Sequence, residues 1–599
     1  MSKHSMNPPF NPPDSPDSPD ASEPPAQPGP VGLSRRDALG ILGGAVASVG
    51  ASMLLGCSDP GSKPRADARV PDPPDARPPD AQPAPIDAGR PDAFDYIVIG
   101  AGSAGCPIVA RLLERTDGTV LLVEAGGDND KPEIRDFTQS WMLTLPESAY
   151  DWAYRSVPQP QLLDKTQSYS AGKVLGGSSS INGMVWARGH RGDYDRWAAN
   201  GCPGWEFDAV LSSFKHIESV MGGDPAYRGT AGPVSIWKEP AAGYGLAQAL
   251  VDAAVGLGYP LNPDYNGEDS LGVGYTQLNV LDAQRQDAYS AFVEPLLGNG
   301  RLTVMTQTLA KRLGFDASRR IESVLVEQDG QEFVLRARRE VVLCAGTVNT
   351  PRLLMLSGIG PAAQLSAAGI PLVADVPGVG QNLHDHLISV AVRKLRMPEP
   401  AEHVTTMDVS IFAGATPPEL GGAPRFQVQS YYMRYGWGSY PSEALALGSI
   451  HLHPTSRGSV TLNPADPRGA PIIDPRFLDT ADDIERQLEG YRMIREVLAG
   501  TELATWVEDV EHTPGPEVDT DEELLAAMRA YSEADFHPVG TCKMGDDPQA
   551  VVDARLRLRE VTGVRIAGAP VMPMVPSGNT NAPSMMTGDR CGILIAEDA

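Results

Sequence analysis

The chain has 599 residues, 41% of them hydrophobic and 21% charged, which is the composition of a globular protein. Its net charge of −27 at neutral pH argues against a nucleic-acid partner and indicates an acidic, soluble surface. The six cysteines show no C-x-x-C spacing, so neither a zinc site nor a disulfide framework is indicated.

The first 93 residues are predicted to lie outside the folded domain. They contain 20 of the 55 prolines of the chain and a single aromatic residue, Phe10. A segment with so few large apolar side chains has too little surface to bury in a core. The remaining residues, 94–599, are long for one domain and suit a two-part enzyme.

A short motif in this N-terminal region predicts export. Ser34-Arg35-Arg36 is followed by a glycine- and alanine-rich apolar run that ends at Leu54-Leu55-Gly56-Cys57. This pattern is typical of a twin-arginine signal joined to a lipoprotein cleavage box, and the run is too short and too rich in glycine for a membrane span. We therefore predict a signal region over 1–57, acylation of Cys57 and a disordered tether over 58–93. A frayed helix with a chance cysteine is the alternative.

This assignment places the folded protein on the periplasmic side of a bacterial membrane, attached only through its lipid. Twin-arginine export carries folded proteins. A protein that takes up its cofactor before it crosses the membrane needs such a route.

The folded part opens on a predicted strand, Asp95–Ile99, that runs into a glycine-rich turn. Gly100 permits the tight turn, Gly102 lets the backbone approach a pyrophosphate, and Gly105 lets the following helix pack closely on the strand. The helix is predicted over Ser103–Glu114, and its N-terminus directs unpaired N–H groups at phosphate.

A second predicted strand, Val120–Val123, ends at Glu124, nineteen residues after Gly105. A carboxylate at this place accepts hydrogen bonds from the ribose hydroxyls of an adenosine and disfavours a 2′-phosphate. The sequence therefore predicts a site for FAD or NAD rather than NADP. The alternative is a chance glycine-rich loop.

Two further segments are dominated by small residues. Gly172–Trp186 can place main-chain N–H groups and hydroxyls along a planar ring system and its phosphates. Gly346–Gly360 follows the apolar strand Val341–Ala345 and is predicted to form another turn and helix closed by glycines.

Together with Gly378–His386, these segments resemble the glucose-methanol-choline (GMC) family of FAD-dependent oxidoreductases, over nearly all of residues 94–599. The resemblance implies an α/β fold in which a Rossmann-like FAD domain is interleaved with a substrate domain built on an antiparallel sheet with helices. On this basis we expect mainly FAD domain over 94–394, mainly substrate domain over 395–535, and a return to the FAD domain over 536–599.

The resemblance also implies the cofactor contacts. FAD is expected to be held without a covalent bond, because Ile181 stands where some members carry the attaching histidine. The expected contacts are Gly100, Gly102, Ser103, Ala104, Gly105, Glu124, Ala125, Lys173, Val174, Gly176, Gly177, Ser178, Asn182, Gly183, Ala310, Ala569 and Asn581. One departure is Gly568-Ala569-Pro570, which lacks the carboxylate that most members carry before the last glycine-rich segment.

The C-terminal segment carries the expected catalytic pair. His537, in Phe536–Gly545, matches the catalytic histidine of the family, and an imidazole is well suited to accept a hydroxyl proton near neutral pH. Asn579 matches the second active-site position, where its amide can donate to the alkoxide oxygen. The alternatives are a structural histidine and an asparagine that caps the next helix.

These features predict an enzyme that oxidises a primary or secondary alcohol to an aldehyde or ketone by hydride transfer to the flavin. The segment around Asn579 resembles choline and aliphatic-alcohol dehydrogenases more than sugar oxidases, which favours a quinone or another carrier over O2 as electron acceptor. A lyase on the same fold, an oxygen-using oxidase and a binding protein that lost the chemistry remain alternatives. A metal site is a further alternative, because His384 and His386, and likewise His451 and His453, alternate along the chain.

Overall fold

The computed structural model of the protein describes residues 92–136, 148–238, 245–398, 407–414, 418–433 and 440–599. The predicted signal region 1–57, including Cys57, and the tether up to residue 91 lie outside these ranges. Among the described helices, none is long and apolar enough to cross a membrane.

Helices and strands are mixed along the first half of the chain, and an antiparallel sheet dominates the middle. The helices are α1 (Gly105–Arg115), α2 (Pro132–Arg135), α3 (Arg191–Ala199), α4 (Phe207–Ile217), α5 (Gly245–Gly256), α6 (Ala288–Phe292), α7 (Gly346–Leu356), α8 (Ala362–Ala367), α9 (Ala481–Leu498), α10 (Asp521–Tyr531) and α11 (Asn581–Asp598).

The strands are mostly short. They are β1 (Ala93–Ile99), β2 (Val120–Val123), β3 (Tyr154–Arg155), β4 (Ser168–Tyr169), β5 (Glu218–Val220), β6 (Val234–Ile236), β7 (Gly272–Tyr275), β8 (Val280–Leu281), β9 (Gln284–Arg285), β10 (Leu302–Met305), β11 (Thr308–Phe315), β12 (Ile321–Gln328), β13 (Gln331–Leu343), β14 (Ile359–Gly360), β15 (Ala374–Asp375), β16 (Leu387–Lys394), β17 (Val409–Ala413), β18 (Phe426–Met433), β19 (Ala444–His451), β20 (Ser459–Thr461), β21 (Ile472–Asp474), β22 (Glu533–Ala534) and β23 (Val564–Ile566).

The first large sheet has the order β10-β2-β1-β13-β12-β11, with β23 also paired to β13. β10, β2, β1, the C-terminal end of β13 and β23 are parallel, whereas β12 pairs antiparallel with both β11 and the N-terminal end of β13. The paired central residues of β1 and β2, Tyr96–Ile99 and Val120–Val123, are apolar and buried, as expected for a sheet that is covered on both faces. This arrangement confirms the predicted Rossmann-like part of the fold.

Helix α11 lies against α1 and returns the C-terminus of the chain to this sheet. The buried ion pair between Arg111 Nε and Asp589 Oδ1, 2.6 Å apart, joins the two helices. The N-terminus of α11 therefore lies beside the N-terminus of α1, where Ser103 Oγ donates a hydrogen bond to Asn581 Oδ1 at 2.8 Å. α1 itself begins at Gly105, two residues after its predicted start.

The second large sheet is antiparallel, with the order β22-β16-β19-β18-β17-β7. Helix α9 covers one face, and its buried residues Tyr491, Ile494 and Leu498 belong to the same apolar core as Leu447 of β19. These residues recur at helical spacing and form the side of α9 that faces the core. The sheet also draws on β7 and β16, which lie before the predicted start of the substrate domain at 395.

Candidate active site

Two glycine-rich loops meet at the C-terminal ends of the parallel strands. Gly100 adopts a φ of +104°, which a residue with a side chain rarely adopts. A Cβ at Gly177 would lie 2.7 Å from the Cα of Gly102, and Gly176 N–H donates to Ala101 O at 2.8 Å. The backbones of the two loops are therefore in direct contact, and only glycine permits this approach. Gly105 has its predicted role as well, since a side chain there would overlap the carbonyl oxygen of Gly100.

Glu124 lies at the end of β2, as predicted. Its carboxylate accepts hydrogen bonds from Ala101 N–H at 3.0 Å and Gly126 N–H at 2.8 Å. Burial raises the pKa of Glu124 to about 7, although backbone N–H groups, including that of Ala125, and the charge of Lys173 oppose the rise. Thr308 N–H donates to Glu124 O at 2.8 Å, which brings the start of β11, and with it Ala310, to the same end of the sheet.

The small-residue loop forms a short 3-10 turn over Gly177–Ser180. Val174 is buried against Ile181, an aliphatic residue that offers no atom for covalent attachment of a flavin. Ser178 Oγ accepts from Gly172 N–H at 3.1 Å, and Gly183 packs so closely on the Met407 side chain that a Cβ would overlap it.

Arg285, which the sequence analysis missed, holds this loop in place. Its fully buried guanidinium donates to Ser179 O at 3.1 Å, to Asn182 O at 2.8 Å and to Asn182 Oδ1 at 2.7 Å. The same group donates to Ile134 O at 3.1 Å. The side chain of Asn182 is thus already engaged by the protein. Arg285 lies 103 residues after Asn182 in the chain, and no local sequence pattern distinguishes it.

These residues fit a bound FAD. The glycine backbones leave a side-chain-free surface at the N-terminus of α1, where phosphate groups bind favourably. Asn581 Nδ2 is buried and has no hydrogen-bond partner among the described residues, so it is free to donate to a ligand. Ser103 and the small-residue loop lie at the same end of the sheet, Ser103 through its hydrogen bond to Asn581 and the loop through its contact with Gly102.

His537 follows the edge strand β22. Its backbone N–H donates to Asp385 Oδ1 at 2.7 Å, and the preceding residue, Phe536, has a left-handed φ of +58°. Such a backbone is strained for a bulky residue and occurs often at functional sites. His537 Nδ1 lies 3.1 Å from His386 Nδ1 and 3.0 Å from Asp535 Oδ2.

The hydrogen bonds assign the protons of the two histidines. His386 Nε2 lies 3.2 Å from Leu452 O, which can only accept, so this nitrogen carries a proton. Burial, with a smaller contribution from His537, lowers the pKa of His386 well below 6.5, and the ring is therefore neutral with an unprotonated Nδ1. His537 Nδ1–H then donates to it, which leaves the lone pair of His537 on Nε2.

Asn579 faces this lone pair. Its Nδ2 lies 3.1 Å from His537 Nε2, and its Oδ1 accepts from Gln427 Nε2 at 3.0 Å and from Gln429 Nε2 at 3.1 Å. Tyr431 Oη in turn donates to Gln429 Oε1 at 2.7 Å, which fixes the orientation of that amide. The N-cap of α11 is Thr580, so the side chain of Asn579 serves this network and not the helix end.

The three side chains behind Asn579 alternate along β18 and share one face of the antiparallel sheet. Sequence analysis did not select Gln427 or Gln429. The signal available was their spacing of two, which places both amides on one face of the strand β18. Asp193 holds the segment that carries Asn579, because its carboxylate accepts a hydrogen bond from Ser577 N–H at 2.7 Å.

Carboxylates set the basicity of His537. Burial alone would lower its pKa, but the neighbouring Asp535, and then Asp385, outweigh burial and raise the pKa above 6.5. An imidazole with a raised pKa is a stronger base for a hydroxyl proton.

The Gly568-Ala569-Pro570 segment anchors the loop that follows His537. Ala569 O accepts from Gly540 N–H at 3.1 Å, and Pro570 O accepts from Cys542 N–H at 2.8 Å. The carbonyl groups of this segment therefore hold the loop after His537. A proline keeps its carbonyl group, so Pro570 can take part.

The alternating histidines bind different groups rather than a common point. His384 Nδ1 lies 2.7 Å from Asn382 O, and its Nε2 accepts from Val575 N–H at 3.0 Å, whereas His386 faces His537. His453 Nε2 lies 2.9 Å from Pro424 O. These contacts hold loops around the site.

A Rossmann-like fold whose glycine loops fit FAD, with a histidine and an amide beside the second sheet, is the arrangement expected of the class of flavin-dependent oxidoreductases. Within it, the two sequence profiles described as GMC oxidoreductase match residues 94–388 and 454–588. The chain therefore belongs to the GMC oxidoreductase family, and it is an FAD-dependent enzyme that oxidises an alcohol.

Relatives with assigned activities are similar over nearly their whole length. The oxygen-dependent choline dehydrogenase of Sinorhizobium fredii is 36% identical over 533 residues, which cover 83% of this chain and 94% of that protein. The crystal structure of pyridoxine 4-oxidase from Mesorbium loti superposes with a TM-score of 0.78 at 31% identity and covers 83% of this chain and 98% of its own. A formate oxidase structure also has a TM-score of 0.78, at 26% identity, with 85% and 99% covered.

Proposed function

We propose that His537 is the general base for alcohol oxidation and that Asn579 is the hydrogen-bond donor to the reacting oxygen. The observation that carries this proposal is the 3.1 Å separation of His537 Nε2 and Asn579 Nδ2, with the lone pair on the first and N–H bonds on the second. A hydroxyl group that lies beside both atoms, and takes the place of their direct contact, donates its proton to Nε2 and accepts a hydrogen bond from Nδ2.

The reaction then balances with two groups of the chain. The hydroxyl proton moves to Nε2 of His537, while a hydrogen on the carbon that carries the hydroxyl group leaves as hydride. The alcohol thereby becomes an aldehyde or ketone. Bound FAD supplies the acceptor for the hydride. Asn579 stabilises the negative charge that develops on the oxygen, and Gln427 and Gln429 keep its Nδ2 pointed at that oxygen by holding Oδ1.

The test is an anaerobic titration of the purified holoenzyme with choline and with aliphatic, aromatic, sugar and sterol alcohols, followed by the visible absorption of the flavin. Choline comes first because the relative from Sinorhizobium fredii is named a choline dehydrogenase. Bleaching by one class supports alcohol oxidation and identifies the substrate. A bound flavin that none of these alcohols reduces favours the lyase alternative.

We further propose that the enzyme is exported, lipid-anchored on the periplasmic side of a bacterial membrane, and passes its electrons to a quinone or another carrier. The support is the pair Arg35-Arg36 followed by an apolar run and Cys57. A lipid anchor holds the enzyme at the surface from which a membrane quinone is reached. Turnover with a soluble quinone analogue, compared with turnover with O2 at equal concentration, tests the acceptor.

A further inference from the structure

A carboxylate lies behind the proposed base. Asp535 Oδ2 is 3.0 Å from His537 Nδ1, the nitrogen that faces away from Asn579, and the two side chains are 11% and 10% exposed. Oδ2 is buried, and no described residue donates a well-aligned hydrogen bond to it. The Nδ1–H of His537 is directed at His386 Nδ1, with Asp535 beside this axis.

The pairing of two strands produces this arrangement. Asp535 N–H donates to His386 O at 3.0 Å and so continues the antiparallel ladder between β22 and β16 by one step. The left-handed backbone of Phe536 then turns the chain, and Asp385 holds the backbone of His537. The turn at Phe536 therefore places the carboxylate of Asp535 beside the imidazole of His537, and the hydrogen bond from Asp385 holds this turn.

We propose that Asp535 is a positioning residue that keeps a proton on Nδ1 of His537 and stabilises the imidazolium formed when Nε2 accepts the proton of the substrate. This inference rests on the proposed role of His537. A carboxylate beside an imidazole acts in this way in the Ser-His-Asp arrangement, where the acid stays ionised and the histidine carries the proton. Once His537 is doubly protonated, its contact with Asp535 becomes a charge-assisted interaction.

The other titratable groups around this pair do not replace Asp535. His386 is neutral because burial lowers its pKa, and Tyr431 is neutral because burial, and then Asp535, raise its pKa. Asp385 contacts the backbone N–H of His537, and burial raises its pKa to about 7, with His537 opposing the rise. Among the described groups, Asp535 is the largest electrostatic contribution that raises the pKa of His537.

The experiment compares Asp535→Ala, Asp535→Asn and Asp535→Glu with Glu533→Gln, which removes a carboxylate two positions earlier that faces Lys165. Flavin reduction is followed by anaerobic stopped-flow across the pH range. For Asp535→Ala and Asp535→Asn we expect a fall of roughly 10²-fold in the limiting rate at saturating substrate, with a small effect on KM. The acid limb of the pH profile should move to lower pH, and Asp535→Glu should restore part of the rate.

A second measurement reports on the histidine itself. In holoenzyme labelled with 15N-histidine, the His537 signal is assigned by its loss in His537→Gln, and its pKa should fall in Asp535→Ala but not in Glu533→Gln. An unchanged rate, acid limb and His537 pKa in folded, flavin-loaded Asp535→Ala would overturn the inference. If His537→Ala also reduced its flavin at the normal rate, the proposed function itself would fail, so the two failures are distinguishable.

Discussion

Asn579 Nδ2 lies 3.1 Å from His537 Nε2, and the oxygen of the same amide is held by two glutamines on the neighbouring sheet. The contact joins two loops of the C-terminal segment, one following β22 and the other preceding α11. Because Gln427 and Gln429 both donate to Oδ1, the amide presents its N–H bonds to the histidine and to any oxygen bound beside it.

Replacing His537 by Ala should leave FAD bound and slow its reduction by alcohol by roughly 10²- to 10⁴-fold, because the hydroxyl proton then has no base. Anaerobic stopped-flow measures the rate, and the visible spectrum measures flavin content. His512→Ala is a matched control, since that imidazole contacts Thr513 and not the site. Rapid reduction in flavin-loaded His537→Ala would remove the residue from its role.

The pH profile should carry the signature of the same group. His537 must be neutral to accept a proton, and its pKa lies above 6.5 because Asp535 and Asp385 outweigh burial. The value of kcat/KM should therefore rise with pH and reach half of its plateau above pH 6.5. A profile that stays flat through this region would contradict a histidine base.

Asn579→Ala should lower the limiting rate of flavin reduction by roughly 10²- to 10³-fold, as expected for loss of one donor to a developing oxyanion. Its KM should change less, because the donor acts mainly on charge that appears in the transition state. Asn579→Asp is the sharper variant, since it keeps the size of the side chain but places a negative charge beside the oxygen. A wild-type rate in Asn579→Asp would exclude the proposed donor role.

Gly177→Ala should yield folded protein with little FAD. The new Cβ would lie 2.7 Å from the Cα of Gly102, and the φ of +56° at Gly177 disfavours a side chain. Gly300→Ala is the control, because a Cβ there meets nothing within 4 Å. The ratio of flavin to protein absorbance after gel filtration measures the difference, and equal ratios in the two variants would contradict the proposed contact surface.

Sequence reasoning was sufficient where the chemistry depends on local spacing. Gly100, Gly102 and Gly105 occupy one turn, and their backbone requirements follow from that turn alone. The amide network was beyond it, because Gln427 and Gln429 lie 152 and 150 residues before Asn579 in the chain. Such partners are set by the packing of the loop before α11 against the second sheet, which no local pattern encodes.

Asp535 shows an intermediate case. It lies only two residues before His537, so an acid near a candidate base was visible in the sequence. Its contact with Nδ1 nevertheless depends on the left-handed φ of Phe536 and on the pairing of β22 with β16. The sequence therefore offered the residue but not its orientation.

Arg285→Ala should destabilise the small-residue loop. The change removes the guanidinium donor from three carbonyl oxygens, those of Ile134, Ser179 and Asn182, whereas Asn182 Oδ1 still accepts from Met184 N–H at 3.0 Å. A buried acceptor left unpaired costs about 1–3 kcal/mol when water does not replace the partner. We expect a lower urea midpoint and weaker FAD retention than in Arg338→Ala, whose side chain is 55% exposed. Equal midpoints in the two variants would show that the loop does not depend on Arg285.

The export signal is tested by Arg35→Lys with Arg36→Lys, which keeps the charge of the motif but removes the paired guanidinium groups that define it. We expect the enzyme to remain in the cytoplasm with its flavin bound, as fractionation and flavin fluorescence would show. The matched control is Arg65→Lys with Arg69→Lys in the predicted tether. Normal export of the Arg35/Arg36 variant would remove the twin-arginine assignment.

The lipid anchor is tested separately at Cys57. Thiol acylation at this residue is the only membrane attachment that we propose, so Cys57→Ala should abolish incorporation of a labelled fatty acid and move the enzyme to the soluble fraction. Ser58→Ala, next to it, should do neither. Because the change lies in the predicted signal region, flavin content and the rate of reduction by alcohol should stay at their normal values. Retention of Cys57→Ala on the membrane would show that another part of the protein holds it there.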